Sequence, residues 1–266
     1  MYAFSYVKPA SLREVSDFLQ ANPDAKALAG GMTLLPTLKA RLAQPSHLVD
    51  IAALEELRGI EVRGKTLVIG AAMRHSEVAR SAKVKAAISA LAELADHIGD
   101  PAVRNCGTIG GSVANHDPAA DYPAGVLGLD AKVVTNRREI PADDFFQGLF
   151  ATALEPAEII VCIAFPVPKR AAYQKFEHPA SGYAMTGVFV ADTASGIRVA
   201  VTGAGPGVFR WSEAEAALAK NCSADAVANL RMPPDDLNED IHGSREYRAN
   251  LVSVMTKRAV AKMTGR

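Results

Sequence analysis

Two glycine-rich segments are the first part of this sequence whose residue types could do chemistry. The earlier one reads Ala29-Gly30-Gly31-Met32-Thr33-Leu34, and the later one contains Thr108-Ile109-Gly110-Gly111-Ser112. Glycine lets a ligand approach the backbone closely, and backbone N–H groups with nearby hydroxyls can bind an anion such as a pyrophosphate. Each segment taken alone is also consistent with an ordinary tight turn.

Two such segments in one chain favour a dinucleotide ligand, because two loops can hold an extended pyrophosphate from either side. Neither segment is a P-loop or has the GxGxxG spacing. The alternative of two structural turns stays open at this point. Further along, Asn115, His116, Asp117 and Asp121 bring polar groups together, and carboxylates can bind ribose hydroxyls. Asp117 with Pro118 is equally consistent with a turn.

The composition excludes several other classes of function. The chain has 266 residues with 29 basic and 29 acidic side chains, so no basic excess indicates binding to nucleic acid. Its three cysteines lie far apart and form no metal-binding motif, and no GxSxG nucleophile motif is present. The first ten residues lack a signal-peptide pattern, and the longest apolar run is far below the ~20 residues that span a bilayer. We therefore expect a cytoplasmic protein without a metal site of its own.

Alternating helix and strand patterns surround the glycine-rich segments. Before residue 100 we predict helices over 11–22, 33–42 and 84–98 and strands over 27–29, 48–51 and 66–69. Residues 103–123 show little periodicity, and we predict that they form a long loop of the kind that carries function.

The second half of the chain is predicted to contain more strands. We predict strands over 131–135, 158–165, 173–176, 183–191 and 197–203, a helix over 212–220 and a last helix from residue 246. Pro166 and Pro168 interrupt the pattern, so we place a boundary there, between a first domain of residues 1–165 and a second of residues 166–266.

The glycine-rich segments, together with their flanking residues, resemble the FAD-binding medium subunit of molybdenum hydroxylases. This family includes the medium chain of carbon monoxide dehydrogenase and the FAD domain of xanthine dehydrogenase. The resemblance rests on AGGMTLLP at 29–36, VRNCGTIGGSVAN at 103–115 and DPAADYPA at 117–124, and it extends over nearly the whole chain.

The resemblance implies an α+β protein with the FAD-binding fold shared with vanillyl-alcohol oxidase. Two α/β subdomains, about residues 1–56 and 57–165, would hold the cofactor. Residues 166–266 would form a C-terminal domain of a small antiparallel sheet and helices, as in flavoproteins of the carbon monoxide dehydrogenase type.

The same resemblance assigns roles to individual residues. The segments 29–34 and 108–112 would bind the pyrophosphate of FAD, and Asp121 would lie near its ADP part. An apolar contact to the flavin region is expected from Ile160. Lys175 and Tyr183 would lie beside the flavin ring, on which Tyr183 can stack, although the sequence without the resemblance indicates only a packing residue there. Met32 stands where the family usually has a polar residue such as Gln or His.

The implied activity is electron transfer, with no catalytic acid or base from this chain. The substrate would be oxidised at a molybdenum-pterin site on a large subunit, and electrons would pass through two iron-sulfur clusters on a small subunit to FAD and then to an acceptor. We expect a dimer of heterotrimers, with no nucleic-acid partner and no membrane span. Two alternatives are a self-contained flavin oxidoreductase of the same fold and a nucleotide-binding module that has lost FAD. The substrate would be selected by the large subunit.

Overall fold

In the computed structural model, which describes residues 1–265, helices pack on three main β-sheets. The strands are β1 (Ser5–Val7), β2 (Lys26–Leu28), β3 (His47–Asp50), β4 (Ile60–Arg63), β5 (Thr66–Gly70), β6 (Lys132–Thr135), β7 (Glu139–Pro141), β8 (Phe146–Gly148), β9 (Ala151–Thr152), β10 (Ile160–Pro166), β11 (Arg170–Glu177), β12 (Ala184–Thr193), β13 (Gly196–Thr202) and β14 (Phe209–Arg210).

The helices connect and cover these strands. They are α1 (Leu12–Ala21), α2 (Leu34–Lys39), α3 (His75–Arg80), α4 (Ala82–Ala87), α5 (Ser89–Asp96), α6 (Pro101–Cys106), α7 (Ile109–Asn115), α8 (Tyr122–Gly128), α9 (Ala142–Phe145), α10 (Ser212–Lys220) and α11 (Arg245–Thr264), with short 3-10 helices at Glu55–Leu57 and Ala224–Val227. Among the described residues, none of the helices is long and apolar enough to span a membrane.

The first sheet is small and parallel, with strand order β1-β3-β2. Helix α1 connects β1 to β2 and α2 precedes β3, so parallel pairing follows from the crossover connections. The Ser11 side chain caps α1 by accepting a hydrogen bond from the Glu14 N–H at 3.2 Å. Val15 of α1 and Val49 of β3 are fully buried in the core of this sheet.

The second sheet is antiparallel, with strand order β4-β5-β10-β6-β7. Helices α3, α5, α7 and α8 build the largest core against it, around fully buried residues such as Ile69, Leu91 and Ile163. Strand β10 lies at the centre although it comes last in the chain. The segment between β5 and β6 is therefore held by the sheet at both of its ends.

The predicted helix over residues 84–98 is wrong in one respect, because it is broken into α4 and α5. Ile88 lies between the two helices with φ −146° and ψ 80°, which is not helical. Val84, Ile88, Leu91 and Leu94 are all buried in the same core. The apolar residues whose spacing predicts one helix still face one core, since both shorter helices present their apolar faces to it.

The predicted loop over residues 103–123 is also wrong, because α6, α7 and the start of α8 occupy much of it. Asp100 caps α6 by accepting a hydrogen bond from the Val103 N–H at 2.8 Å. Thr108 caps α7 in the same way, through the Gly111 N–H at 3.2 Å. Glycine disfavours helix in isolation, and here tertiary packing overrides that preference.

The third sheet is antiparallel, with strand order β11-β12-β13-β14. One face packs on α10 and α11 around Trp211 and Val252, and Phe189 on the other face lies against Gly125 and Gly128 of α8. This combination of sheets and helices agrees with the α+β class predicted from the sequence. Sheet membership changes between Pro166 and Arg170, close to the domain boundary that the sequence predicts.

Candidate functional site

A cavity of about 1090 Å³ brings the two glycine-rich segments together. We call residues 29–34 the first loop and residues 108–112 the second loop. The cavity reaches from α1 and β2 to Tyr183 in the segment before β12. Most small-molecule pockets measure ~300–1,000 Å³, so this one has room for an extended ligand.

Nearly all of the residues predicted from the sequence line this cavity. They are Ala29, Gly30, Gly31, Met32, Thr33, Leu34, Thr108, Gly110, Gly111, Ser112, Asp121, Ile160 and Tyr183. Two predicted residues are not in its lining. Ile109 belongs to the second loop, but its side chain is fully buried in the core, and Lys175 lies behind the wall, in contact with Asp121.

The first loop leaves its backbone donors free. None of the N–H groups of residues 30–34 donates a hydrogen bond within the described part of the chain. Gly31 has φ +69°, a conformation that side-chain-bearing residues rarely adopt. A Cβ at Gly30 would overlap the carbonyl oxygen of Cys106, so only glycine lets the first loop approach the end of α6. Unpaired donors beside a cavity are suited to an anionic ligand.

The second loop uses its backbone donors inside the protein, which differs from the expectation of exposed donors. The N–H groups of Ile109 and Gly110 donate to the carbonyls of Met73 and Ala71 at 3.0 and 2.9 Å. The Gly111 N–H donates to the Thr108 hydroxyl oxygen. What this loop offers the cavity is small residues and the hydroxyls of its Thr and Ser.

Asp121 and Lys175 form a buried ion pair at one end of the cavity. Their charged atoms are 3.0 Å apart, and the two side chains are 1% and 2% exposed. The Tyr173 hydroxyl donates to the same carboxylate oxygen at 2.6 Å, and Lys175 also donates to the His97 carbonyl at 2.6 Å. Burial raises the pKa of Asp121, while Lys175 and Tyr173 oppose that shift.

This pairing bears on two predictions that came from the family resemblance. Asp121 was expected near the ADP part of FAD and Lys175 beside the flavin ring. Asp121 lines the cavity and Lys175 contacts it from behind, so the two residues lie at the same place in the wall. The second carboxylate oxygen of Asp121 is buried without a protein partner, and the residue lines the cavity.

His75 is a cavity residue that the sequence does not reveal. It is 4% exposed, and its Nδ1 has no hydrogen-bond partner among the described residues. Burial, helped by the charge of Arg104, lowers its pKa to about 4, so the ring is neutral near pH 7. Its ring lies 5.3 Å from that of Tyr122, whose buried hydroxyl is also unpartnered. A single histidine at the start of a helix gives no sequence signal of this placement.

The wall around residues 154–159 was also missed from the sequence. Glu158 is held by Arg138 and accepts a hydrogen bond from the Thr135 hydroxyl at 2.8 Å. The hydrogen bond from Arg138 lowers the pKa of Glu158 to about 2, so Glu158 is ionised near pH 7 and its ion pair with Arg138 stabilises this wall. Ala157 has φ +60°, an uncommon conformation for a residue other than glycine. These contacts depend on residues about 20 positions apart, which no local pattern indicates.

Tyr183 stands at the mouth of the cavity. Its side chain is 41% exposed, a large value for an aromatic residue that lines a cavity. The preceding Gly182 packs on Gly99, where an added Cβ would lie 3.2 Å from the carbonyl oxygen. An aromatic face left partly uncovered at this position can stack on a flat ring.

These features fit FAD. The first loop supplies unpaired donors for a pyrophosphate, and Asp121 and His75 place unpartnered polar atoms in residues of the cavity wall. Within residues 1–265, no group of three or more His, Cys, Asp and Glu residues is arranged to hold a metal ion.

Comparisons with known proteins agree with this geometry. Residues 2–168 match a family model described as the FAD binding domain in molybdopterin dehydrogenase. The carbon monoxide dehydrogenase medium chain of Hydrogenophaga pseudoflava is 38% identical, over 97% of this chain and 96% of that one. The nicotine 6-hydroxylase medium subunit of Paenarthrobacter nicotinovorans is 34% identical, over 99% of this chain and 98% of that one.

The fold is shared as well. A solved structure of carbon monoxide dehydrogenase from Hydrogenophaga pseudoflava, one that lacks the Mo-pyranopterin moiety of the molybdenum cofactor, contains a chain that superimposes with a TM-score of 0.90. The match covers 99% of this chain and 98% of that one.

Proposed function

The chain belongs to the family of FAD-binding domains of molybdopterin dehydrogenases, and on that premise we propose how it holds FAD and passes electrons through it. It is an FAD-containing oxidoreductase subunit of the type found in carbon monoxide and xanthine dehydrogenases. The observation that carries the proposal is the single cavity in which a donor-rich loop, a hydroxyl-bearing loop and an uncovered tyrosine meet.

The pyrophosphate of FAD lies between the two loops. Free N–H groups of residues 30–34 bind its oxygens, and the hydroxyls of Thr108 and Ser112 bind it from the other side. The first loop therefore carries most of the phosphate recognition, because the N–H groups of residues 109–112 in the second loop already donate to Met73, Ala71 and Thr108.

The flavin ring lies at the part of the cavity that is lined by Tyr183 and Asp121, with Lys175 behind Asp121 in the wall. Tyr183 stacks on the ring, and Ile160 gives an apolar contact along the wall. Asp121 is assigned to this end rather than to the ADP part, because it is bound to Lys175. The adenine then occupies the opposite end, where Leu19, Pro23 and neighbouring apolar residues line the cavity.

Bound FAD supplies a carrier that accepts and releases electrons, which none of the side chains here can do. The protein's own contribution is binding and electrostatic tuning. The buried Asp121 and Lys175 pair fixes a charge arrangement beside the ring, and the neutral His75 keeps a positive charge out of the cavity wall. Burial strengthens each of these effects, because the local dielectric is low.

The other redox groups belong to partner chains. We propose a large subunit with molybdenum-pterin and a small subunit with two iron-sulfur clusters, assembled as a dimer of heterotrimers in the cytoplasm. Support for partners comes from the relatives, which are named medium chains or subunits. Such an arrangement needs the flavin ring near the surface, and the exposed Tyr183 meets that need.

The test is a comparison of three proteins by visible absorption after incubation with FAD and gel filtration. The wild-type chain should retain FAD with bands near ~370 and ~450 nm. The Ser112→Asp variant should bind at least about tenfold more weakly, because a carboxylate is placed beside the pyrophosphate. Ser112→Asn has nearly the same shape without the charge and should retain most of the affinity.

Either of two results would contradict the proposal. A folded wild-type chain that takes up no FAD, alone or with its partner subunits, would remove the cofactor from this site. Equal affinities of the Asp and Asn variants would remove the pyrophosphate from the second loop.

A further inference from the structure

One stretch of the cavity wall, residues 154–159, has no part in the proposed function. We call it the wall segment. All six of its residues line the cavity, and it lies between β9 and β10. Ile159 packs in the same core as Val15 and Ala25, with Leu19 of α1 against it. The wall segment therefore lies at the end of the cavity that Leu19 also lines, where the proposed function has the adenine of FAD.

The turn between β6 and β7, residues 136–138, contacts the wall segment along its length, and we call it the clamp turn. The Ile159 N–H donates to the Asn136 side-chain oxygen at 2.9 Å, and the Asn136 N–H donates to the Ile159 carbonyl at 3.0 Å. Arg137 donates to the Pro156 carbonyl at 2.9 Å. Both the middle and the end of the wall segment are thus bonded to the clamp turn.

Arg138, the third residue of the clamp turn, binds a buried carboxylate of the wall segment. Its Nε donates to Glu158 at 3.0 Å, and its guanidinium also donates to the Ala153 carbonyl at 2.8 Å. The Glu158 side chain is fully buried and accepts a further hydrogen bond from the Glu155 N–H at 2.8 Å. Because Arg138 is the only ion-pair partner of Glu158 among the described residues, its loss would leave a buried charge unpaired. The conformation of the wall segment therefore depends on Arg138.

The clamp turn contacts α1 as well. The Asn136 side-chain nitrogen donates to the Ser16 hydroxyl oxygen at 3.1 Å. Ser16 lies one helical turn before Leu19, the residue that lines the cavity from α1. One turn of the chain thus holds both the wall segment and the helix that bound this end of the cavity.

Ala157, in the middle of the wall segment, keeps both of its main-chain polar groups free. Neither its N–H nor its carbonyl oxygen has a hydrogen-bond partner among the described residues. On either side of it, the Pro156 carbonyl and the Glu158 N–H are both bonded inside the protein. The φ of +60° at Ala157 is an unfavourable conformation for a residue with a side chain, and the contacts of the clamp turn hold it there. A free donor and a free acceptor on one cavity residue suit a ligand that offers an acceptor and a donor side by side.

The edge of an adenine ring has this pattern, because its N6 amino group is a donor and the neighbouring N1 is an acceptor. We propose that the wall segment is the adenine subsite of FAD and that the main chain of Ala157 binds N6 and N1 of the ring. Residues 136–138 are positioning residues for this subsite, and Leu19 and Leu154 supply apolar contacts to the ring. The clamp turn thereby sets the preference for FAD over FMN, which lacks the adenosine half. This inference rests on the proposed function, because it requires FAD in the cavity.

The first test changes the ligand and leaves the protein as it is. Isothermal titration calorimetry measures the affinity of the full-length chain for FAD and for the analogue in which hypoxanthine replaces adenine. Hypoxanthine has a carbonyl at position 6 and a proton on N1, so it presents an acceptor to the Ala157 carbonyl and a donor to the Ala157 N–H. The analogue should bind at least about tenfold more weakly than FAD, because both hydrogen bonds are lost.

Equal affinities for FAD and the hypoxanthine analogue would overturn the adenine subsite and leave the proposed function intact. A folded chain that binds neither FAD nor FMN, alone or with its partner subunits, would contradict the proposed function and the adenine subsite with it.

The second test separates the clamp turn from general stability. In Arg138→Ala, checked for folding by circular dichroism, FAD should bind about tenfold more weakly, whereas FMN should bind as in wild type because the flavin end of the cavity is unchanged. The preference for adenine over hypoxanthine should shrink in the same variant. Arg138→Lys keeps the charge beside Glu158 but not the fork that also reaches Ala153, so its FAD affinity should lie between the two. Arg63→Ala removes an exposed ion pair with Glu61 on β4 and should bind both flavins like wild type.

Two results would overturn the positioning role. One is an equal loss of FAD and FMN affinity in Arg138→Ala, which would indicate a general loosening of the cavity. The other is an Arg138→Ala variant with the wild-type preferences for FAD over FMN and for adenine over hypoxanthine. If Arg138→Ala does not fold, Arg138→Lys decides by the same two ratios.

Discussion

The first and second loops look alike in sequence but are built differently. Both contain a Gly-Gly pair and a threonine, yet the N–H groups of residues 30–34 are unpaired, whereas those of Ile109 and Gly110 are bonded to Met73 and Ala71. The first loop is therefore a ligand-facing surface, and the second is part of the protein's own packing. Similar composition does not imply a similar role.

This difference predicts which property a substitution changes. A change in the second loop disturbs contacts with residues 71–73 and should lower the free energy of unfolding even without FAD. A side-chain change at Met32 or Thr33 in the first loop should alter FAD affinity and leave the unfolding of the cofactor-free chain nearly unchanged, whereas Gly30 and Gly31 are required by close packing and by backbone conformation. Measuring both the free energy of unfolding and the FAD affinity of each variant therefore tests the role of each loop.

The largest effect is expected for Gly110→Ala. An added Cβ would lie 2.5 Å from the Ala71 Cβ and 2.8 Å from its carbonyl oxygen, so α7 must move away from residue 71. Overpacking of this kind costs about 3 kcal/mol when backbone has to shift. Urea unfolding of the cofactor-free chain should show that loss.

Gly205→Ala is the matched control, because its Cβ would lie 3.2 Å from the side-chain ring of Phe209 and 3.6 Å from the nearest backbone atom, the Gly207 carbonyl oxygen. It should cost much less than the change at Gly110. If both variants unfold with the same free energy as wild type, Gly110 of the second loop is not packed against Ala71.

The sequence predicts the two loops and most of the cavity lining, because glycine positions that allow close approach are visible as local patterns. It does not predict which loop keeps its donors, since this depends on carbonyls of residues 71–73, more than 30 positions before the second loop. Helix α7 is not predicted for a related reason, because its Gly110 packs on Ala71. The contacts of His75 and the Asp121–Lys175 pair are likewise long-range.

A smaller change in the free energy of unfolding is expected from pH. It concerns only the region of the second loop, where His75 is buried, because the first loop contains no titratable side chain. His75 packs against Gly107, the residue just before the second loop, with its Nε2 only 2.6 Å from where a Cβ on Gly107 would stand. Burial lowers its pKa from 6.5 to about 4, so the unfolded chain binds more protons between these values. Stability is thus lost as pH falls below 6.5, by about 2 kcal/mol at pH 5 from this residue.

Unfolding free energies at pH 6.5 and pH 5 measure this contribution. His75→Gln cannot titrate, so its loss between the two pH values should be smaller than that of wild type by about 1.5 kcal/mol. His47→Gln should lose as much as wild type. Identical pH slopes for wild type and His75→Gln would mean that His75 is not buried against the second loop as a neutral ring.

The smallest effect is expected for Met32→Gln in the first loop. Met32 lines the cavity, and glutamine there adds a donor and an acceptor beside the unpaired N–H groups. One added hydrogen bond is worth about 1 kcal/mol, so FAD should bind about fivefold more tightly in a fluorescence titration. Met32→Leu keeps the size without the polar atoms and should bind like wild type.

Because residues 30–34 make no backbone donor contacts to the rest of the chain, neither variant should change the unfolding free energy of the cofactor-free protein by more than about 0.5 kcal/mol. A clear loss of stability in Met32→Leu, without a change in FAD affinity in Met32→Gln, would place the first loop in the same structural class as the second and remove the distinction between them.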